Sequence, residues 1–339
     1  MEQESTHDRN TVKPQPWARI LAGYREANAK RSILELMTTI IPLAGIWLLM
    51  WAAVDRGYWL GLLLAVPAAG FLVRLFMIQH DCGHGSFLAS RRANDWLGRG
   101  IGVLTLTPYD FWRHSHALHH AGSGNLDRRN IGGIETLSVR AFRALPRSQR
   151  LRYRLYRHPL LLFGFGPAYL FIADNRLPLG FMRSGWMPWL STQGTNGAVL
   201  ILAGLLIWCI GVVPFLLVQL PITLIAATIG VWLFYVQHQF ENTYWDRAQD
   251  WRFHDAALYG SSHYDLPPVL RWFTANIGVH HVHHLCSRIP LYRLPEVLRD
   301  YPELRAVGRL TLGQSLQCVR LALWDQQQCR LVPFREART

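Results

Sequence analysis

Uncharged apolar runs and arginine-bearing polar stretches alternate along this chain. Leu36 to Val54 carries no charge and is about long enough to cross a bilayer. Pro42 inside it is tolerable in a membrane helix. Tyr58 to Gln79 is a second run, separated from the first by Asp55, Arg56 and Gly57. Its one charge, Arg74, is costly at that depth unless it snorkels or pairs. From Ser184 to Phe240 there is no Asp, Glu, Lys or Arg. That stretch accommodates two further spans, about 197–213 and 217–236, with an uncharged link near Pro214. Four spans in two hairpins are expected.

Between the hairpins lies a long arginine-rich region, which the positive-inside rule places in the cytoplasm. Gly100 to Tyr109 and Pro159 to Ala173 are apolar but short, and the second is broken by Gly164, Gly166 and Pro167. Both are expected to be interfacial or re-entrant. The chain is thus divided into a cytosolic segment 1–31, a main domain 32–300 and a cytosolic tail 301–339. The tail after Pro295 is expected to be amphipathic helix. The fold class that follows is an all-α integral membrane protein with a cytosolic helical cap. Both termini are cytoplasmic, and a bacterial inner membrane is the expected location. The first thirty residues lack a short apolar core, so no cleavable signal peptide is expected.

Composition sharpens this. Of 339 residues 50% are hydrophobic and only 17% charged, below the roughly 25% of a soluble domain. The net charge of +13 suits cytoplasmic loops that face anionic lipid. The apolar blocks argue against a nucleic-acid partner. The five cysteines, Cys82, Cys209, Cys286, Cys318 and Cys329, contain no CxxC pair. That argues against a thiolate zinc site or a disulfide framework.

The candidate chemistry lies in histidines. Residues 80–84 read His-Asp-Cys-Gly-His, residues 116–120 read His-Ala-Leu-His-His, and residues 280–284 read His-His-Val-His-His. On a helix, residues three and four apart share a face. His80 and His84 then project together, as do His116, His119 and His120, and likewise His280, His283 and His284. His238 falls at the inner end of the fourth span, level with His80. The span assignment, made without the histidines, puts all of them on one side of the membrane.

Nine imidazoles exceed the four ligands zinc usually takes. Imidazole also suits copper, iron and nickel. The surplus favours two metals, and two adjacent irons can activate O2 against an unactivated C–H bond. A zinc protease needs Glu next to the first His as general base, where this chain has Asp81. A metal transporter would carry ionisable ligands mid-membrane, which these spans almost lack. A storage tract needs no periodicity. Spacing alone leaves His280 and His281 as alternative partners for His284, and leaves His114 and His263 open. His7, His158 and His254 are expected to be ordinary histidines.

As a set these motifs resemble the membrane fatty acid desaturases, in a superfamily with alkane and sterol hydroxylases. That family carries HxxxH, HxxHH and HxxHH boxes, matched by His80/His84, His116/His119/His120 and His280/His283/His284. Residues 79–86 and His283-His284-Leu285 look like the acyl-lipid branch, and residues 237–241 resemble the segment after the fourth span that supplies a further ligand. The similarity covers about residues 15–300.

The resemblance implies a di-iron centre of two Fe ions on nine histidines. It implies O2-dependent insertion of a cis double bond into an acyl lipid or acyl thioester, with a slight preference for Δ12 (omega-6). It also implies two electrons from a ferredoxin-type or cytochrome donor. That donor is expected to be a separate protein, since no His-Pro-Gly-Gly haem signature occurs. The alternatives on the same core are a hydroxylase or ketolase acting on alkane, sterol or carotenoid, or a non-catalytic membrane metal binder. Asp81, Glu241 and Asp265 are candidates to accept an imidazole N–H and fix its tautomer. Phe76, Trp112 and Trp272 are candidates to line an acyl tunnel.

Overall fold

The computed structural model describes residues 16–128 and 133–338. His7 and Arg129 lie outside the described residues. Four helices are long and apolar enough to cross a membrane: Ala29–Asp55, Trp59–His84, Met187–Ile210 and Val212–His238. The short apolar stretches between the two pairs form shorter helices, including Arg91–Leu104 and Gly166–Ile172.

The bounds differ from the expected ones in four ways. The first long helix starts at Ala29 because the Asn28 side chain caps it, accepting from the Arg31 N–H at 3.0 Å. The second does not stop at Gln79. It continues through His84 and ends at Gly85, whose φ of 67° is the left-handed conformation of a helix stop. The third begins ten residues before the expected Gly197. In its polar start the hydroxyls of Thr192 and Thr195 are satisfied within the helix, donating to the carbonyls of Pro188 and Ser191 at 2.8 and 2.9 Å. The break before the fourth helix falls at Gly211, with φ 84°, and not at Pro214. Pro214 sits in the first turn of that helix, where its missing N–H leaves no bond unmade.

The second and fourth long helices carry the core. Ala65, Ala68 and Ala69 are buried on the second, and Val218, Ile222 and Ala226 on the fourth. Small residues let the two backbones approach closely. By contrast the third helix buries almost nothing.

Arg74 resolves its expected cost by pairing. It is buried, with Glu35 of the first helix as its ion-pair partner, and it donates to Thr39 Oγ1 at 3.1 Å and to the Trp272 carbonyl. Its guanidinium also lies 4.0 Å from the centre of the Trp272 ring.

Beyond the long helices a cap is built from short pieces. Helix Tyr109–Gly122 packs against Arg91–Leu104, and helix His280–Leu285 packs against Phe253–Tyr259. The N-terminal piece Trp17–Ala22 packs on the same cap. Trp17 and Leu21 are fully buried with Val282, Leu285 and Val297.

The expectation of an amphipathic helical tail is corrected. After helix Leu294–Asp300, strand Arg309–Thr311 pairs in parallel with His263–Asp265. Leu321–Asp325 and Arg330–Pro333 form a hairpin, and Leu137–Ser138 joins its edge. Both faces of Leu321–Asp325 are covered: Leu323 and Ala322 by Phe142 and Tyr153, and Trp324 by Trp245. A short strand buried on two faces has no alternation to reveal it. The protein is therefore mostly helical, with two small sheets in the cap.

Arg74→Met should leave Glu35 charged without its partner and cost about 3–5 kcal/mol. The double change Arg74→Met with Glu35→Met should cost much less. Thermal melts in detergent compare the two, and equal losses would contradict the pairing.

Candidate metal centre

Three short helical faces and one helix end bring nine imidazoles together. His80 and His84 lie on the last turn of the second long helix, held by the Tyr109 hydroxyl donating to the Cys82 carbonyl at 2.8 Å. His116, His119 and His120 lie on Tyr109–Gly122, fixed by ion pairs of Asp110 with Arg99 and of Arg113 with Asp95 at 2.8 and 2.7 Å. His280, His283 and His284 lie on a six-residue helix whose opposite side, Val282 and Leu285, is packed in the cap. His238 closes the fourth long helix.

They sort into two groups, and within each the ligand atoms all lie within 4.8 Å of one another. The first group is His80, His84, His116, His120 and His283. The second is His119, His238, His280 and His284. In both HxxHH boxes the residues four apart serve one group and the residue between serves the other. At 3.6 residues per turn, i and i+4 straddle the axis on one side of i+3, so one helix can feed two adjacent centres.

The distances identify what the groups are suited to hold. The Nε2 atom of His116 lies 3.0, 3.1 and 3.0 Å from those of His80, His84 and His120. A neutral imidazole has one N–H, so one nitrogen cannot be hydrogen-bonded to three others. The second group repeats the pattern, with His238 Nε2 at 3.1 Å from His119 and 3.0 Å from His280. Two nitrogens bound at about 2.1 Å to one metal with an angle of about 90° stand about 3.0 Å apart. The groups thus have the spacing of ligand cages around cations. The two cages touch: the rings of His120 and His284 are stacked with centroids 4.2 Å apart.

Burial drives the imidazoles of His116, His119, His120, His280, His283 and His284 well below the usual histidine pKa, and neighbouring imidazoles add to it. Neutral rings with free lone pairs are the form that binds metal.

A cavity of about 510 Å³ meets both groups, since His80, His116 and His280 are in its wall. Its size is that of a small-molecule site. The rest of the wall is mainly apolar and comes from six regions of the chain, with Phe76, Trp112, Phe171 and Phe234 among the aromatics. A smaller cavity of about 70 Å³ touches His119 and His238 and is lined by Ser123, Asn125, Thr136 and Gln239.

A family model for fatty acid desaturase matches residues 57–312. The chain belongs to the fatty acid desaturase family. A fatty acid desaturase of Bacillus subtilis (strain 168) is 45% identical to it over 316 residues, covering 93% of this chain and 89% of that protein. Two proteins of Synechocystis sp. are more distant. The sn-1 acyl-lipid omega-3 desaturase (ferredoxin) is 32% identical over 65% of this chain and 61% of its own length. The sn-1 oleoyl-lipid 12-desaturase is 28% identical over 66% and 63%. The protein is accordingly an oxidoreductase.

In the desaturase His281, His263 and His114 lie outside both cages. His281 donates from Nε2 to the Leu304 carbonyl at 2.9 Å, and His263 donates from Nδ1 to the Arg305 carbonyl at 2.7 Å. His114 packs edge-on against Phe181. Of the carboxylates, Asp81 is buried beside the site. Its Oδ1 is 3.7 Å from His80 Nδ1, and its Oδ2 accepts the Leu291 N–H at 2.7 Å. Glu241 and Asp265 are corrections: they pair with Arg330 and Arg309 at 2.5 and 2.7 Å, where arginine outcompetes a neutral ring for a carboxylate. Trp272 is a third correction. Phe76 and Trp112 line the large cavity, but Trp272 packs under Arg74.

Sequence reasoning missed the wall supplied by residues 170–181 and by Thr223–Phe234 of the fourth helix. One signal was present: Ala226, Ala227 and Gly230 are small residues at helical spacing in an otherwise bulky run.

An exposed histidine in the unfolded chain protonates near pH 6.5, whereas burial in the folded protein lowers the pKa of His116, His119, His120, His280, His283 and His284, and brings that of His281 to about 3. Protons therefore favour the unfolded state as pH falls below 6.5. Melts of chelator-treated protein should show stability present above pH 6.5 and lost progressively towards pH 5. A flat profile would contradict burial as the cause.

Proposed function

We propose that the chain is a multi-pass acyl-lipid desaturase of the bacterial inner membrane that inserts a cis double bond at Δ12 (omega-6). The observation that carries this is the large apolar cavity ending on imidazoles of both cages. An acyl chain is the ligand that fits such a space, and its reacting methylenes would lie against the metal side of the wall. The Δ12 position follows the box sequences and agrees with the printed name of one Synechocystis relative.

All nine imidazoles are assigned as ligands of two irons. What two irons supply when bound is O2 activation and removal of hydrogen from adjacent methylenes. Dioxygen takes two hydrogens from the acyl chain, and two electrons with two protons from outside, and leaves as two waters. The residues contribute in separable ways. Phe76 and Trp112 hold the chain against the site, because C–H selection depends on sub-ångström placement. The cavity wall keeps bulk water off the reacting carbons. Asp81 holds His80 in position through the second helix end. The small polar cavity at His119 and His238 provides the path for protons and product water.

The electrons are assigned to a separate ferredoxin-type donor, as the printed name of one relative mentions for that protein. The cap and both termini are placed in the cytoplasm by the arginines of residues 91–157, where the basic surface suits an acidic donor. Residues 32–300 form the catalytic unit, flanked by 1–31 and 301–339.

Expression in a host with defined fatty acids tests the reading: gas chromatography of methyl esters should show a new double bond, at Δ12 in C18 chains. An unchanged profile from iron-loaded protein with reductant would sink it. Iron analysis adds a residue-level check. His84→Ala and His238→Ala should each lower bound iron by about half, since each removes a ligand from one cage only, whereas His281→Ala should leave it unchanged.

A further inference from the structure

The large cavity is apolar along most of its wall, but one carboxylate faces it. Asp174 is the single acidic side chain among the described residues that line it. It sits on the short turn Asp174–Arg176, part of a segment whose neighbours Ile172 and Leu177 are exposed. Asp174 itself is half-buried. It is therefore at the rim, where the cavity wall becomes the outer surface.

Among the described residues no hydrogen bond or ion pair reaches its carboxylate. The nearest arginine in sequence, Arg176, is turned away onto the Leu106 carbonyl and Asn196 Oδ1, at 2.8 Å from the latter. Partial burial raises the Asp174 pKa above the usual carboxylate value, with no opposing charge to lower it. A half-desolvated, unpaired carboxylate costs free energy. A cation from the ligand would remove that cost, and a second anion would add to it.

We infer that Asp174 selects the acyl carrier, favouring a zwitterionic glycerolipid whose headgroup presents an ammonium over anionic carriers. This rests on the desaturase reading for the acyl cavity, and it names the substrate class. Acidic glycerolipids, free fatty acids and phosphate-bearing thioesters all bring net negative charge to the rim. An ethanolamine headgroup brings an ammonium that can sit on the carboxylate. Arg183, two residues beyond Phe181 of the cavity wall, is exposed and available to the lipid phosphate.

The test uses full-length protein in vesicles of equal phosphatidylethanolamine and phosphatidylglycerol, with their acyl chains distinguished by isotope. Native mass spectrometry of the released protein counts retained lipid of each class, independently of turnover. The wild type should favour phosphatidylethanolamine about threefold, the size expected of one partly exposed ion pair. Asp174→Asn should bring the ratio close to one, and Asp174→Lys should reverse it. Both variants should fold, since the side chain is half-exposed and without protein partners. Equal ratios for wild type and Asp174→Asn would overturn the inference. With the protein loaded with iron, and with O2 and a reduced ferredoxin-type donor added, the same vesicles then report desaturation of each isotope. Retained headgroup preference with no double bond formed would defeat the desaturase reading and leave the headgroup selection standing.

Discussion

Nine imidazoles facing one another is an arrangement that stores its own instability. Their lone pairs point at common centres from about 3 Å away, and burial prevents relief by protonation. Only cations placed among them turn that repulsion into bonding. Each element of the cap contributes to holding the rings in that geometry. The helix end at His84, the ion-paired helix that carries His116 to His120, and the packed helix at 280–285 are separately braced. The N-terminal piece at Trp17 and Leu21 supports the last of these from behind.

The long helices serve the same constraint from the membrane side. The second and fourth end directly in imidazoles of the two groups, His80 with His84 and His238. Their close packing along Ala68, Ala69 and Ala226 therefore sets the distance between the two ends. Arg74 ties the first helix to the segment that leads into His280, through Glu35 and the Trp272 carbonyl. A buried ion pair of this kind is weak as a source of stability, but it fixes one relative position of three elements. Where the helices diverge, the cavity opens between them, and its wall changes from apolar to imidazole at the cages.

The two cages are unequal. Five imidazoles crowd the first and four form the second, and the small polar cavity reaches only members of the second. Both cages face the large apolar cavity, through His80 and His116 on one side and His280 on the other. The geometry thus separates an apolar approach shared by both cages from a polar approach to one of them.

By itself the sequence determined the four spans and which histidines share a helical face. A bilayer demands about twenty uncharged residues, and helical periodicity puts histidines three and four apart on one face, so both are written locally. It also showed that Arg74 had either to snorkel or to pair. The tertiary structure alone decided which cage each histidine enters, because i+3 and i+4 lie on the same face and differ only in what stands opposite. It decided that His281 turns to Leu304 and that Glu241 and Asp265 go to arginines, since a carboxylate's partner is whatever cation the fold brings near. It decided that the tail forms strands, because Leu321–Asp325 is covered on both faces and shows no alternation. It also built the cavity, whose wall joins residues more than 150 positions apart, from Leu72 to Ile277. Local pattern carries no information at that range, and only packing brings those side chains together.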